Sequence, residues 1–444
     1  MTHDVGIIGL GYVGLTFATA LADAGFSVLG VEKRPEIVDM TNAGKPHFNE
    51  AGLAGAMQHV LLEGRFRAVT TLPSDTSCEV YVITVGTPLD AQGNSRLDFI
   101  RAAAGEVAAH MQDGALVILR STVRIGTARN VVAPILEQTG KRFSIAMCPE
   151  RTLEGRAMQE LRHLPQIVGA DDEVTRERAA HFFYKLTHTV VQVTSLEAAE
   201  IVKLVDNTFR DVQFGFANEV ARICDAYGVN AHEVINGGKL GYPRTNVALP
   251  GLVGGPCLEK DPHILAQSTL DVGLELDITR AARAVNERQP EETADFIVAQ
   301  LRARGAGDSP VIALLGIAFK GIPATDDLRG AMSLRVLDAL RTHLPDASIR
   351  LFDPVCSAEQ LATIGQGTEV FPSMQEAIAG ADAAIIANNH PALSVTPPAR
   401  LTELLAPAGF VYDYWNHFSD LRPHEIGNSY FAVGNTGRNH NRRL

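Results

Sequence analysis

The turn Gly9-Leu10-Gly11-Tyr12-Val13-Gly14 constrains the fold more than any other segment, because of what lies on either side of it. Residues 5–9 are apolar enough for a buried strand, residues 15–24 carry a helical pattern ended by Gly25, and residues 27–31 return as a strand. Strand, turn, helix and strand make one βαβ unit. In such a unit the first glycine permits the tight turn, the second lets a pyrophosphate approach the backbone, and the third lets the helix pack on the strand. The phosphates then sit at the helix N-terminus. A GxGxxG run alone is weak evidence. Here it is answered by Glu32 at the end of the second strand, where a carboxylate takes the adenosine ribose hydroxyls. Gly9, Gly11, Tyr12, Val13, Gly14 and Glu32 are therefore expected to bind a dinucleotide. The charge of Glu32 opposes a 2′-phosphate, which selects NAD. Lys33 and Arg34 beside it leave two readings open, a solvated loop or a pair of cations that could accept a 2′-phosphate and so admit NADP.

A chain of 444 residues is too long for one ordinary core, and about three domains are expected. Further strand patterns fall at residues 80–85, 116–119, 144–147 and 189–193, with helical stretches at 99–110 and 128–138. These predict a parallel, doubly wound first domain. Residues 196–227 then run without proline, apolar at helical spacing, and predict one long helix. That helix either links two domains and carries a dimer contact or forms the core of a second domain. Helical pattern continues through residues 280–301, residues 302–310 read as a linker, and strands at 311–316, 348–352, 383–387 and 410–412 predict a second α/β sheet. The expected class is α/β, with two Rossmann-like doubly wound domains joined by a long central helix and a helical dimerisation region. The division is 1–195, 196–301 and 302–444. The polar tail from Gly437 is expected to be mobile.

The formal charge of −12 argues against nucleic acid, though a local basic pocket can still take a nucleotide. Five scattered cysteines, with no CxxC pair, give neither a disulfide framework nor a zinc site, and no metal is expected. No export signal is visible, and the longest apolar runs are strand-sized. A cytoplasmic protein without membrane association is the expectation.

Chemistry concentrates in Gly254-Gly255-Pro256-Cys257-Leu258-Glu259-Lys260-Asp261. Small residues before the thiol leave room for close approach, and the lysine and aspartate after it can act on its ionisation. Lys260 either favours the thiolate or is a surface charge. Two turns at strand ends, Val85-Gly86-Thr87-Pro88 and Arg120-Ser121-Thr122-Val123, are placed to lie under a cofactor or are ordinary loops. Glu150, in Cys148-Pro149-Glu150-Arg151, is a base or a solvated loop acid. Glu200, Lys203 and Asn207 share one face of the long helix, as an oxyanion site or a solvated stripe.

Together these segments resemble the UDP-glucose/GDP-mannose dehydrogenase family over nearly the whole chain. The resemblance rests on the glycine turn, Ser121-Thr122-Val123, Pro149-Glu150, the Glu200/Lys203/Asn207 helix with Asn218-Glu219, the segment through Asp261, and Gly316-Ile317-Ala318-Phe319-Lys320 with Asp326-Asp327-Leu328-Arg329. Pro149-Glu150-Arg151 and Asp206-Asn207-Thr208-Phe209-Arg210-Asp211 look more like the UDP-N-acetylhexosamine branch than the UDP-glucose branch. Pro256 stands where many members of that branch carry histidine, and the loop 249–255 is one residue shorter than the common form.

The resemblance implies four-electron oxidation of the C6 hydroxyl of UDP-N-acetylmannosamine or UDP-N-acetylglucosamine to the uronic acid, with NAD as cofactor and a homodimer as the working form. Cys257 would capture the intermediate aldehyde as a thiohemiacetal, which becomes a thioester and is hydrolysed. Lys203 and Asn207 would stabilise oxyanions, Glu150 and Thr122 would orient the hydrolytic water, and Asp261 would be a base or water-orienting partner beside the thiol. Thr87, Ser121, Thr122 and Arg34 would touch the cofactor. Glu150, Arg151, Lys203, Asn207, Gly254, Gly255, Lys320 and Arg329 would touch the nucleotide-sugar. The alternatives are a UDP-glucose 6-dehydrogenase, a two-electron hydroxyacid dehydrogenase with a structural Cys257, or a non-catalytic NAD-sensing protein.

Overall fold

The computed structural model describes residues 2–90, 93–365, 367–419 and 429–436. Its chain falls into two compact units, one of Met1–Asn207 with His263–Glu275 and one of Thr208–Pro262 with Leu276–Leu444. The expected tail from Gly437 lies outside the described residues.

The first unit is built on eight strands: β1 (Thr2–Ile8), β2 (Val28–Val31), β3 (Phe66–Val69), β4 (Ser77–Ile83), β5 (Ala115–Leu119), β6 (Phe143–Met147), β7 (Gln166–Gly169) and β8 (Val190–Val193). Their order is β3-β2-β1-β4-β5-β6-β7-β8. Every residue of β2 and β5 is buried, as strands covered by helices on both faces must be. The pairing is parallel from β3 to β6, but β6 meets β7 antiparallel at Met147↔Gly169, so the far edge runs the other way. β3 has no apolar run to read, because this edge strand alternates buried with exposed residues, whereas β7 is buried throughout but is not expected from the sequence.

The helix expected over 128–138 is a π-helical turn, Ala128–Val132, followed by an α-helix, Ala133–Glu137. Pro134 lacks the N–H that would bond four residues back, which is a sufficient reason for the ladder to widen there. The long helix spans Leu196–Tyr227, as its periodicity predicts. A second long helix, Asp277–Ala303, runs through Pro290.

The second unit carries six parallel strands: β9 (Val311–Leu315), β10 (Ser348–Phe352), β11 (Thr368–Val370), β12 (Ala383–Ile386), β13 (Phe410–Asp413) and β14 (Tyr430–Ala432). Their order is β11-β10-β9-β12-β13-β14. The three-residue β11 and β14 are too short to be read from the sequence.

The first strand of each sheet ends alike. Gly9 has φ 98° and donates to Val31 O at 2.8 Å; Gly316 has φ 80° and donates to Phe352 O at 2.8 Å. In each sheet an acid just past the neighbouring strand accepts from the turn. Glu32 Oε2 accepts from Leu10 N at 3.2 Å, while Asp353 Oδ2 accepts from Ile317 N at 2.6 Å and Ala318 N at 3.0 Å. Asp353 Oδ1 also accepts from Val355 N and Cys356 N, so both its oxygens are tied to backbone.

Candidate active site

In the first unit the glycine turn meets the demands of a pyrophosphate. A Cβ added at Gly14 would lie 1.8 Å from Gly9 O, so only glycine lets the helix start so close to β1. At Gly11 an added Cβ meets nothing within 4 Å, which leaves open space beside the helix N-terminus for a phosphate. Burial works to raise the Glu32 carboxyl, but hydrogen bonds and charge from Arg34, together with the N–H groups of Arg34 and Leu10, bring it below its ordinary value. Glu32 is therefore ionised at neutral pH, and Arg34 pairs with it through Nε at 3.0 Å.

Tyr12 of the same turn donates its hydroxyl to Glu50, and Gly155 N donates to Glu50 Oε2 at 2.7 Å. That ties the turn to the segment following Glu150. The two turns at strand ends are stitched to each other. Ser121 Oγ donates to Val85 O at 2.6 Å and Thr87 Oγ1 donates to Thr122 O, so the hydroxyls of Ser121 and Thr87 hold the platform's shape.

Glu150 is buried rather than solvated. Arg120, itself fully buried, donates to Glu150 Oε2 through Nε at 3.1 Å and Nη2 at 2.5 Å, while Arg151 N and Thr152 N donate to Oε1. The guanidinium also donates to Cys148 O and Gln166 Oε1 and lies 4.3 Å from the Phe17 ring centroid. Burial would push the Glu150 carboxyl up, and the charge of Arg120, the Thr152 N–H and the charge of Lys203 more than reverse that, so it stays below its ordinary value. Arg120, read from the sequence only as part of a strand-end turn, is the buried partner of Glu150. Its signal was available: an arginine ending the wholly apolar β5 needs a buried acid.

Lys203 and Asn207 are buried on the long helix, and Arg151 reaches the same helix through Asp206 at 3.3 Å. Glu200, grouped with them by spacing, serves another purpose. Its carboxylate accepts from Gly126 N and Ala128 N, capping the π-helical turn. Burial pushes its carboxyl up to about 7, against the pull of those two N–H groups.

In the second unit Cys257 is exposed, whereas the other four cysteines are buried. It lies in a four-residue helix, Gly255–Leu258, entered from an irregular loop. Asp261 is fully buried and accepts from Lys260 Nζ at 2.7 Å. Burial works to lower the Lys260 ammonium, and the charges of Asp261 and Cys257 outweigh it, so its pKa rises. Lys260 is thus bound to Asp261 and not a loose surface charge.

Gly254 and Gly255 are crowded by their own chain. A Cβ at Gly254 would stand 2.5 Å from Gly330 O, and one at Gly255, where φ is 86°, would stand 2.4 Å from Phe319 Cδ2. Gly255 N donates to Gly330 O at 2.7 Å. The glycines therefore bring the cysteine segment against residues 319–332, where Lys320 and Arg329 lie. Lys320 Nζ is 5.1 Å from the Phe319 ring centroid, and Arg329 holds Asp327 through Nε and Nη2.

Sequence comparison assigns residues 3–187, 197–288 and 313–420 to the NAD binding, central and UDP binding domains of the UDP-glucose/GDP-mannose dehydrogenase family. The chain is 33% identical to the UDP-N-acetyl-D-mannosamine dehydrogenase of Pyrococcus horikoshii, over 87% of this chain and 89% of that protein. With the enzyme of the same name from Salmonella typhimurium it shares 32%, over 88% and 95% of the two. The solved UDP-glucose dehydrogenase of Pyrobaculum islandicum superposes with a TM-score of 0.86 at 26% identity, covering 98% of each chain.

Proposed function

Since the chain belongs to the UDP-glucose/GDP-mannose dehydrogenase family and is an NAD-dependent oxidoreductase of UDP-sugars, we propose that its substrate is UDP-N-acetylmannosamine, oxidised at C6 to the uronic acid through a covalent adduct on Cys257. The observation that carries this is the exposed Cys257 beside Lys260 and the buried Asp261 that holds it. The names of the relatives and the residues of the 149–151 and 206–211 segments favour the 2-acetamido sugar over UDP-glucose.

Bound NAD supplies the two-electron acceptor for each of the two oxidations. The open space at Gly11 and the ionised Glu32 fit its pyrophosphate and ribose. Cys257 adds as thiolate to the aldehyde carbon: the C–S bond forms, the carbonyl π pair moves to oxygen, and that oxygen takes a proton. Lys203 and Asn207 stabilise the developing oxyanion. After the second oxidation the carbon is a thioester. Water then adds, the C–S bond breaks, and the thiolate returns. Each oxygen of Glu150 already accepts two N–H groups, so its part in placing the hydrolytic water with Thr122 is carried by its charge rather than by a proton it takes. Asp261 is the base or water-orienting partner at the thiol.

In this reading residues 1–195 hold NAD, 196–301 carry the thiol and the dimer contact, and 302–444 hold the nucleotide, with Lys320 and Arg329 facing its phosphates. The working form is a cytoplasmic homodimer. Phe209, Phe216 and Ile223, spaced by seven on the long helix, are 59%, 53% and 58% exposed, an apolar row suited to a second copy. Among the described residues no helix is long and apolar enough to cross a membrane.

The test is NADH formed per sugar consumed, for UDP-N-acetylmannosamine, UDP-N-acetylglucosamine and UDP-glucose, in wild type and Cys257→Ala. Two NADH per UDP-N-acetylmannosamine, lost in the variant, is expected. One NADH per sugar with an unaffected variant would overturn the covalent route.

A further inference from the structure

The segment 249–258 has little regular structure of its own, yet it must hold Cys257 steady. Two helices of the second unit reach it with side chains that are themselves buried. From the long helix, Asn218 grips both polar groups of Gly251: its Nδ2 donates to Gly251 O at 3.2 Å and its Oδ1 accepts from Gly251 N at 3.0 Å. From the helix Asp277–Ala303, Arg283 donates to Val253 O at 3.0 Å through Nη2 and to Leu258 O at 2.8 Å through Nη1. Those two carbonyls bracket Cys257.

The gripping side chains are locked in turn. Arg283 Nη1 donates to Asp211 Oδ1 at 2.7 Å, and Asn286 Nδ2 donates to that same oxygen at 2.9 Å. Asn218 Nδ2 donates to Asn286 Oδ1 at 2.9 Å, which joins both grips into one network. A buried guanidinium needs several acceptors in fixed directions, and the two carbonyls of the cysteine segment supply part of that requirement. The segment and the network therefore order each other.

We propose that Arg283, held by Asp211 and Asn286 and assisted by Asn218, is the positioning residue of the Cys257 thiol for aldehyde capture. Arg283 touches no reacting atom. It sets where the thiol stands, so its loss falls on the second oxidation and spares the first, which does not use the thiol. The proposal rests on the covalent route given above.

The experiment compares Arg283→Met, which keeps the bulk and removes the donors, with Arg283→Lys, Asn218→Ala and Cys257→Ser, all as full-length protein. NADH per sugar, aldehyde trapped by hydroxylamine, KM for NAD and far-UV circular dichroism are read for each. Arg283→Met is expected to keep its fold and its KM for NAD, lose about 100-fold in the rate of uronate formation as a misplacement near 1 Å does, and shift from two NADH per sugar towards one with aldehyde trapped. Arg283→Lys should recover part of the ratio. Where Arg283→Met fails to fold, Asn218→Ala carries the test, with the same shift in smaller degree. A folded variant that still gives two NADH and no trapped aldehyde overturns the proposal. So does a loss of rate shared equally by both oxidations. Failure of the covalent route itself reads differently: Cys257→Ser would then still give two NADH, whatever the arginine variants do.

Discussion

Arg120 reaches Glu150 with two N–H groups that converge on one carboxylate oxygen, Oε2, in a pair shut away from solvent on both sides. Removing one partner strands the other. Arg120→Met should destabilise the protein by about 3–5 kcal/mol, and Arg120→Met with Glu150→Met by less than the sum of the two single changes. Urea unfolding at pH 7 measures both. Because Glu150 lies below its ordinary 4.5 in the folded protein, its contribution is present above pH 4.5 and disappears as pH falls through the lower folded value.

Glu200 has the opposite sign. Its carboxyl is raised from 4.5 to about 7, so the native chain binds more protons than the unfolded chain across that window. Its contribution is fully present below pH 4.5 and is lost as pH rises through 7, a swing of about 3 kcal/mol. In Glu200→Gln that swing should vanish, seen as a flatter dependence of unfolding free energy on pH than in wild type. An unchanged slope between pH 4.5 and 7 would show that Glu200 is not the group responsible.

Gly255 faces two obstacles to any side chain, its φ of 86° and the ring of Phe319. Gly255→Ala should lose activity and at least the 1–3 kcal/mol of backbone strain, read by thermal unfolding. Adding Phe319→Ala removes the clash but not the strain, so it should recover stability only in part. Full recovery would mean that the backbone conformation carries no penalty.

The apolar row on the long helix predicts a change of assembly without loss of fold. Phe216→Glu should give a monomer in sedimentation velocity, with unchanged circular dichroism, because a buried unpaired carboxylate opposes a contact between two copies. A dimer that persists through this change would place the interface elsewhere.

The glycine turn, the long helix and the two sheets were legible because each leaves a local trace: a fixed spacing, a period of 3.6, a run of apolar residues. Glu32 was legible for the same reason, standing at the end of a strand already located. Glu150 left two readings open, a base or a solvated loop acid, and its burial excludes the second; its partner Arg120 stands 30 residues earlier, just past the apolar β5. Arg283 and Asn218 lie 26 and 39 residues from Cys257, and no spacing rule joins them to it. Gly254 and Gly255 were read as room for substrate, whereas the neighbours that require them come from residues 319–332. What the sequence withholds is tertiary closure, in which polar groups far apart in the chain become one another's partners.

Asp353 stands where Glu32 stands in the other sheet, yet its two oxygens answer four backbone N–H groups. A carboxylate so occupied has no lone pair to offer an arriving ribose. The two halves share a turn but not its receptivity, and grafting glycines behind Gly316 would rebuild the cradle without restoring the hand that closes on the sugar. A second dinucleotide would first have to win that acid away from its own main chain.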